Sequence, residues 1–359
     1  MAERISSGFL NLNKPAGMTS YDVIRHLKQF LPYRTKIGHG GILDKPAEGV
    51  LPVGVGKATR LFEYFQLLPK HYRGTILLGV LTDTLDLNGS LVETDPLVAI
   101  PDPVELNRLA EGEFTGTITQ VPPLYSSLKQ GGQPLYRLAM EGREVEPKPR
   151  QVQIYRLTIT EVETIPAERL KQEVADREEG PDLSSADLAA ELPLVHFETL
   201  CGGGTYARAL ARDIARRAGT VGILYHLTRT RVGPFTLEEA TTPQDLNSPE
   251  AVRERLLPPL VAAFPERCVL ATDYELARLL QGNLVPIDLR RLGFNIEQFY
   301  PPAYLAAWRE LPEPALHPEQ DDLPVFMVDS EGNLAQVCKM VGEPIGGRVN
   351  LRIRKNLAG

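Results

Sequence analysis

The run KIGHGGILDKPAEGVLPVGVGKATR, residues 36 to 60, can be neither a regular helix nor a plain strand along its length. It sets a single aspartate, Asp44, among Gly38, Gly40, Gly41 and Gly49, with Pro46 and Pro52 alongside. Glycine lets a backbone turn left-handed and approach a ligand closely, and proline stiffens the turns between. A carboxylate on such a braced loop is placed for chemistry more readily than for packing. An isolated Asp-Lys-Pro would read as a solvated turn, so the remaining chain has to decide.

Around this loop the periodicity alternates between helix and strand. GFLNLN, residues 8 to 13, reads as a strand, and Thr19 or Ser20 caps a helix with Val23, Ile24, Leu27 and Phe30 on one face. Residues 58 to 68 read as an amphipathic helix, 72 to 79 as a strand, 103 to 112 as a helix and 152 to 159 as an alternating strand. LVHFETL is a strand, CGGG a turn, and TYARALARDIARRAG a helix stopped by Gly219. HLTRTRVGPF follows as a strand and turn. Prolines at 258 to 266 mark a boundary. Beyond it come a helix, DYELARLLQG, and β segments joined through SEGN.

The chain of 359 residues suits two domains, and 43% apolar with 24% charged residues is the composition of a soluble globular protein. No segment has the apolar length of a membrane span, and MAERISSGFLNLNK has no hydrophobic signal core. Cys201, Cys268 and Cys338 are far apart, which argues for a reducing compartment, no disulfides and no zinc. A cytoplasmic location is expected. Net charge is -7, yet residues 161 to 193 hold ten acids and three bases, so the rest of the chain balances. Residues 201 to 231 carry six arginines and one acid, and the tail from Lys339 carries five bases against Glu343. Such local basic surfaces hold phosphates whatever the total. The acidic segment, about 166 to 193, reads as a mobile or loosely helical insertion whose removal should leave activity intact.

Several chemistries are excluded. GVLPVGVGKAT fails as a P-loop because Leu51 stands where the first glycine belongs and Ala58 follows Lys57. CGGGTY joins a strand to a helix and could contact an anion, but it lacks the P-loop lysine. The histidines have no metal-ligand spacing, and no Ser/His/Asp order can be defended. A glycosidase needs two facing carboxylates, and nothing shows Glu48 facing Asp44. What survives is one carboxylate, several tyrosines (125, 136 and 155 among them) and arginines on a glycine-led helix. A nearby guanidinium keeps a nucleophilic carboxylate ionised, and an aromatic ring can stack on an extruded base. These parts suit covalent chemistry on a nucleotide without metal or cofactor.

Read together, the segments resemble the TruB family of tRNA pseudouridine synthases. LNLNKPAGMTSYDVIRHLK is similar to the family's lysine-proline motif, at Lys14 and Pro15. GHGGILDKPAEGVLPVGVGKATR resembles the loop that carries the catalytic aspartate, Asp44, and a histidine, His39. KHYRGTILLGVLTDTLDLNG resembles the segment whose tyrosine, here Tyr72, stacks on the target base. QVPPLYSSLKQGGQPLYRLAMEGREV matches a long family signature. CGGGTYARALARDI places Tyr206 and Arg208, and HLTRTRVGPF places Leu227 and Arg229. Departures are Gly40 for a threonine, Lys45-Pro46 for Pro-Leu, Gly202-Gly203 for Ser-Lys, and Thr228 for an arginine.

The resemblance implies an α+β pseudouridine synthase fold with a mixed, largely antiparallel central sheet and a site in a cleft across it. It implies a catalytic domain over 1–260, including the acidic insertion, and a small β-rich PUA-like RNA-binding domain over 267–359. The implied reaction is isomerisation of uridine to pseudouridine in tRNA, at uridine 55 of the T loop. Asp44 would be the nucleophile, held ionised by Arg208, and Tyr206 would assist proton transfer from C5. Tyr72, Leu227, His39, Lys14 and Arg229 would bind substrate. Tyr206 and Arg208 can face one site only if Tyr206 stays outside the helix, since two residues within it turn about 200°. The partner is the tRNA T arm, with no cofactor, no membrane and no obligate protein partner, and the chain is expected to be a monomer. The rival is a non-catalytic RNA-binding module of the same fold that helps tRNA to fold.

Overall fold

The computed structural model describes residues 7–143, 145–177, 179–312 and 323–357. The chain divides into two compact units, one of Met1–Pro69 with Thr230–Gly359, the other of Lys70–Arg229. The class is α+β, as expected.

In the first unit the strand Gly8–Lys14 runs antiparallel to Glu48–Val55, with Leu12 opposite Leu51. The short strand Ile37–His39 pairs with that same Glu48–Val55, His39 opposite Val53. The helix Ser20–Lys28 starts in a capping box between Thr19 and Asp22. It buries Val23, Ile24 and Leu27 against Leu10, Leu12, Leu51 and Val53. The helix expected over 58 to 68 is a 3₁₀ helix, Gly56–Gln66, in which Ala58, Leu61 and Tyr64 are buried. These three recur every third residue, as in a 3₁₀ turn, while Ala58 and Leu61 with buried Phe65 also fit an α turn. The C-terminal part forms a five-stranded sheet. In it Cys268–Leu270 lies parallel to Val325–Val328, and Val325–Val328 and Leu334–Ile345 form the expected hairpin.

The second unit is built on the antiparallel series Lys70–Leu78, Glu191–Cys201, Arg150–Pro166 and Gly116–Gln120. The strand Gly222–Val232 lies on the other side of Lys70–Leu78. Isolated parallel bridges, Asp86 to Leu224 here and Leu12 to Thr241 in the first unit, make the pairing mixed. Arg150–Pro166 runs seven residues past the strand expected over 152 to 159, ending in the acidic segment.

Of the two states expected for the acidic segment, the helical one is found at its start, and it is packed. Ala167–Ala175 is a helix with Ala167, Leu170 and Val174 buried. With Leu183 they join Leu77, Ile165, Leu192 and Ile223 in one apolar cluster. The Ala167 amide donates to the Ala190 carbonyl at 2.9 Å, and Tyr225 hydrogen-bonds Glu173. Glu168 lies on the outer face, its side chain 88% exposed. The number of acids concealed an apolar stripe at helical spacing.

Candidate active site

The Asp44 loop is anchored on both sides of the aspartate by groups of its own unit. The Ser20 hydroxyl accepts from the Leu43 amide at 2.9 Å and lies 3.0 Å from the Leu43 carbonyl, to which it donates. Ser20 and Leu43 are both 4% exposed. On the other side, the Lys45 carbonyl accepts from the Gly17 amide at 2.9 Å and from the Lys14 ammonium at 3.4 Å. Lys14 is fully buried, and its Nζ also donates to the carbonyls of Met18 at 2.7 Å and Pro15 at 3.0 Å. The lysine-proline turn and the aspartate loop are thus tied through one ammonium. The Ala47 amide closes a turn onto the Asp44 carbonyl at 3.1 Å, and Asp44 itself is half-buried.

Gly40 has a packing reason. A Cβ there would stand 2.4 Å from Cδ1 of Phe65, so the ring occupies the space that a threonine would need. The Gly40 amide donates to the Pro52 carbonyl at 2.8 Å, which continues the strand carrying half-buried His39 toward the loop.

Within the second unit Tyr206 lies outside the helix Ala207–Arg217. It is the N-cap residue, extended at φ -104° and ψ 110°. Its amide donates to Oε1 of Gln120 at 2.9 Å, and its carbonyl accepts from Nε2 of Gln120 at 3.2 Å. Gln120 is 1% exposed, a side-chain clamp on the Tyr206 backbone that matches Ser20 on Leu43. The condition set by helix geometry is met: Arg208 alone of the two belongs to the first turn.

Arg208 is buried, with Nη1 donating to the Thr84 carbonyl at 2.8 Å and Nη2 to the Tyr125 carbonyl at 3.0 Å. Buried Asp86 places Oδ2 3.8 Å from Nη1. Its Oδ1 accepts from the Thr84 hydroxyl at 2.6 Å and the Asn88 amide at 3.0 Å. A buried guanidinium needs such compensation, because taking a charge from water costs several kcal/mol.

Tyr72 is buried on the Lys70–Leu78 strand, directly opposite Thr199. Lys70 shares its sheet face, opposite Cys201. Leu227 and Arg229 are buried on Gly222–Val232, Arg229 at 2% exposure. Burial takes the Lys70 ammonium down to about 7, with Cys201 opposing and Arg229 adding to the fall. A folded pKa below the unfolded one makes stability rise with pH, because the unfolded chain binds the extra proton. Between pH 7 and 8.5 this single group should add up to about 2 kcal/mol, at 1.36 kcal/mol per unit. Urea melts of the protein should show that rise, and Lys70→Met should flatten it. A slope that persists in Lys70→Met would assign the effect to another group.

A groove of about 700 Å³ in the same unit is lined by Gln130, Gln133, Leu138, Arg143 and Lys148, within and just beyond the long signature. Among the described residues no cluster of three or more His, Cys, Asp or Glu could hold a metal, and no helix is long and apolar enough to cross a membrane.

Gln120 and Asp86 were not singled out from sequence, and Ser20 only as an alternative helix cap. The adjacent Thr19-Ser20 pair held one signal, since only one of two neighbouring hydroxyls can cap the helix. Removing the Ser20 hydroxyl as alanine should cost about 1–2 kcal/mol by stranding buried backbone groups. Single-turnover rates should fall more than RNA affinity, since the loop rather than the binding surface loosens. Equal rates for Ser20→Ala and the unchanged protein would show that the loop holds itself.

The TruB family pseudouridylate synthase (N terminal domain) model matches residues 28–179. A tRNA pseudouridine synthase B from Symbiobacterium thermophilum is 40% identical over 279 residues, 77% of this chain and 82% of that protein. One from Thermobifida fusca is 38% identical over 281 residues, 78% of this chain and 87% of that protein. In fold, the chain is similar to a solved chain of a Cbf5-Nop10-Gar1 complex, with a TM-score of 0.62 at 22% identity, covering 97% of this chain and 84% of that one. Identity of this order over most of both proteins, with the motifs in their expected sequence, establishes that the chain belongs to the TruB family of pseudouridylate synthases.

Proposed function

We propose that this protein isomerises uridine to pseudouridine in tRNA, at uridine 55 of the T loop, with Asp44 as nucleophile. The observation that carries the role of Asp44 is the double anchoring of its loop, through Leu43 to Ser20 and through Lys45 to Lys14. Flipping the target base costs about a few kcal/mol. Tyr72 stacks on the extruded uracil and returns part of that cost. Asp44 attacks, the glycosidic bond breaks, the base turns and re-joins to the ribose through C5, and the bond to Asp44 is released. Loss of the C5 proton, assisted by Tyr206, completes the change. Arg208, held by Asp86 and two carbonyls, supplies positive charge that favours the ionised nucleophile. His39 and Leu227 contact the substrate.

Lys14 and Arg229, at 0% and 2% exposure, complete the proposed substrate-binding set. We assign the catalytic domain to 1–260 and an RNA-binding PUA-like domain to 267–359, in a cytoplasmic monomer that needs no protein partner. The test is release of tritium from 5-tritiated uridine in a T-arm hairpin by the purified protein. Release supports the enzyme, and binding without release would leave only the RNA-folding module.

A further inference from the structure

The sequence between Asp22 and Asp44 carries Arg25, Lys28, Arg34 and Lys36 and no acidic residue. On the helix Ser20–Lys28, Tyr21, Arg25 and Lys28 are spaced by four and three residues, so they share one exposed face, which flanks the stripe of buried Val23, Ile24 and Leu27. Arg25 pairs with Asp22 and still leaves 68% of its side chain exposed. Beyond the helix, Phe30 and Leu31 pack onto the apolar core, which fixes the base of the next turn.

That turn is Pro32–Thr35. The Thr35 amide and hydroxyl both donate to the Pro32 carbonyl, at 3.0 and 2.7 Å. Its third residue, Arg34, has φ 67°, a left-handed position that glycine fills at least cost. Tyr33 is 91% exposed, and the Arg34 guanidinium lies 5.4 Å from its ring centroid. A strained arginine beside an almost fully exposed ring does nothing for packing. Strain of this kind persists where the side chains are used. The turn also lies at the end of the strand Ile37–His39 away from Asp44, a strand about 10 Å long at roughly 3.3 Å per residue.

We infer that the Tyr33–Arg34 turn, with Arg25 and Lys28 of the adjoining helix, is a second RNA-contact surface, which stacks an unpaired base and holds its flanking phosphates outside the arm that carries the target uridine. The inference rests on the proposal that tRNA is the substrate. The acid-free cationic stretch complements a polyanion, and every base has a face that can stack on tyrosine. The turn is closed by its own hydrogen bonds, so little backbone freedom is lost on binding.

The experiment compares binding of full-length tRNA transcript and of the isolated T-arm hairpin to the unchanged protein, Tyr33→Ala and Arg34→Gly. Both variants should weaken full-length binding about fivefold or more, the loss of one stacked base, and leave hairpin binding unchanged. Arg34→Gly should also make the salt dependence of full-length binding shallower by about one phosphate contact. Its thermal midpoint should hold or rise, since glycine relieves the left-handed strain. Full-length affinity unchanged in both variants would overturn the inference. So would equal losses on the two RNAs, which would place the turn within the target-arm site. Tritium release from the hairpin reads the catalytic proposal separately, so failure of either can be told from failure of the other.

Discussion

Asp44→Asn should abolish tritium release, lowering turnover by about four orders of magnitude or more, as removal of a covalent nucleophile does. The substitution keeps the shape of the side chain and removes only its charge and its capacity to form the bond. The anchors on either side use backbone atoms of Leu43 and Lys45, so they survive it. RNA affinity and the thermal midpoint should therefore stay near those of the unchanged protein. Gel-shift titration, a melt and the tritium assay together check this. Release that is indifferent to the change would remove Asp44 from the mechanism.

Deleting 167–190 should unfold the second unit, contrary to what the acidic composition of that segment leads one to expect. Leu170, Val174 and Leu183 are buried with Leu77, Leu192 and Ile223, and their removal exposes those partners. At about 1.5–3 kcal/mol per buried side chain, the three residues alone account for roughly 4.5–9 kcal/mol. That is comparable with the whole stability of a typical domain. Leu170→Ala by itself should cost about 3 kcal/mol. Neutralising the exposed Glu168 as glutamine should change stability by less than about 0.5 kcal/mol, as surface changes usually do. Denaturant melts of the three variants decide between packing and charge. A deletion that melts cooperatively at the unchanged midpoint would show that the segment is an appendage after all.

Much of this was open to reading from the residues. The Thr19 cap, the stripe of Val23, Ile24 and Leu27, and the DSEGN hairpin depend on neighbours a few positions apart, and all appear where periodicity places them. The 3₁₀ helix at Gly56–Gln66 was misread because its buried residues suit both periods over a short run. The insertion's helix was among the expected alternatives, but its packing was missed because charge was counted without regard to the face on which it lies.

The motifs themselves, and hence the family, were determined by sequence alone, because residue identity and order along the chain need no third dimension. Tertiary structure decided what holds those motifs in place. Ser20 reaches Leu43 across 23 positions, Gln120 reaches Tyr206 across 86, and Arg208 reaches the Thr84 carbonyl across 124. A hydroxyl, an amide or a carboxylate carries no mark of its distant partner in the chain. Only the burial that folding imposes makes an unsatisfied backbone group costly enough to require one.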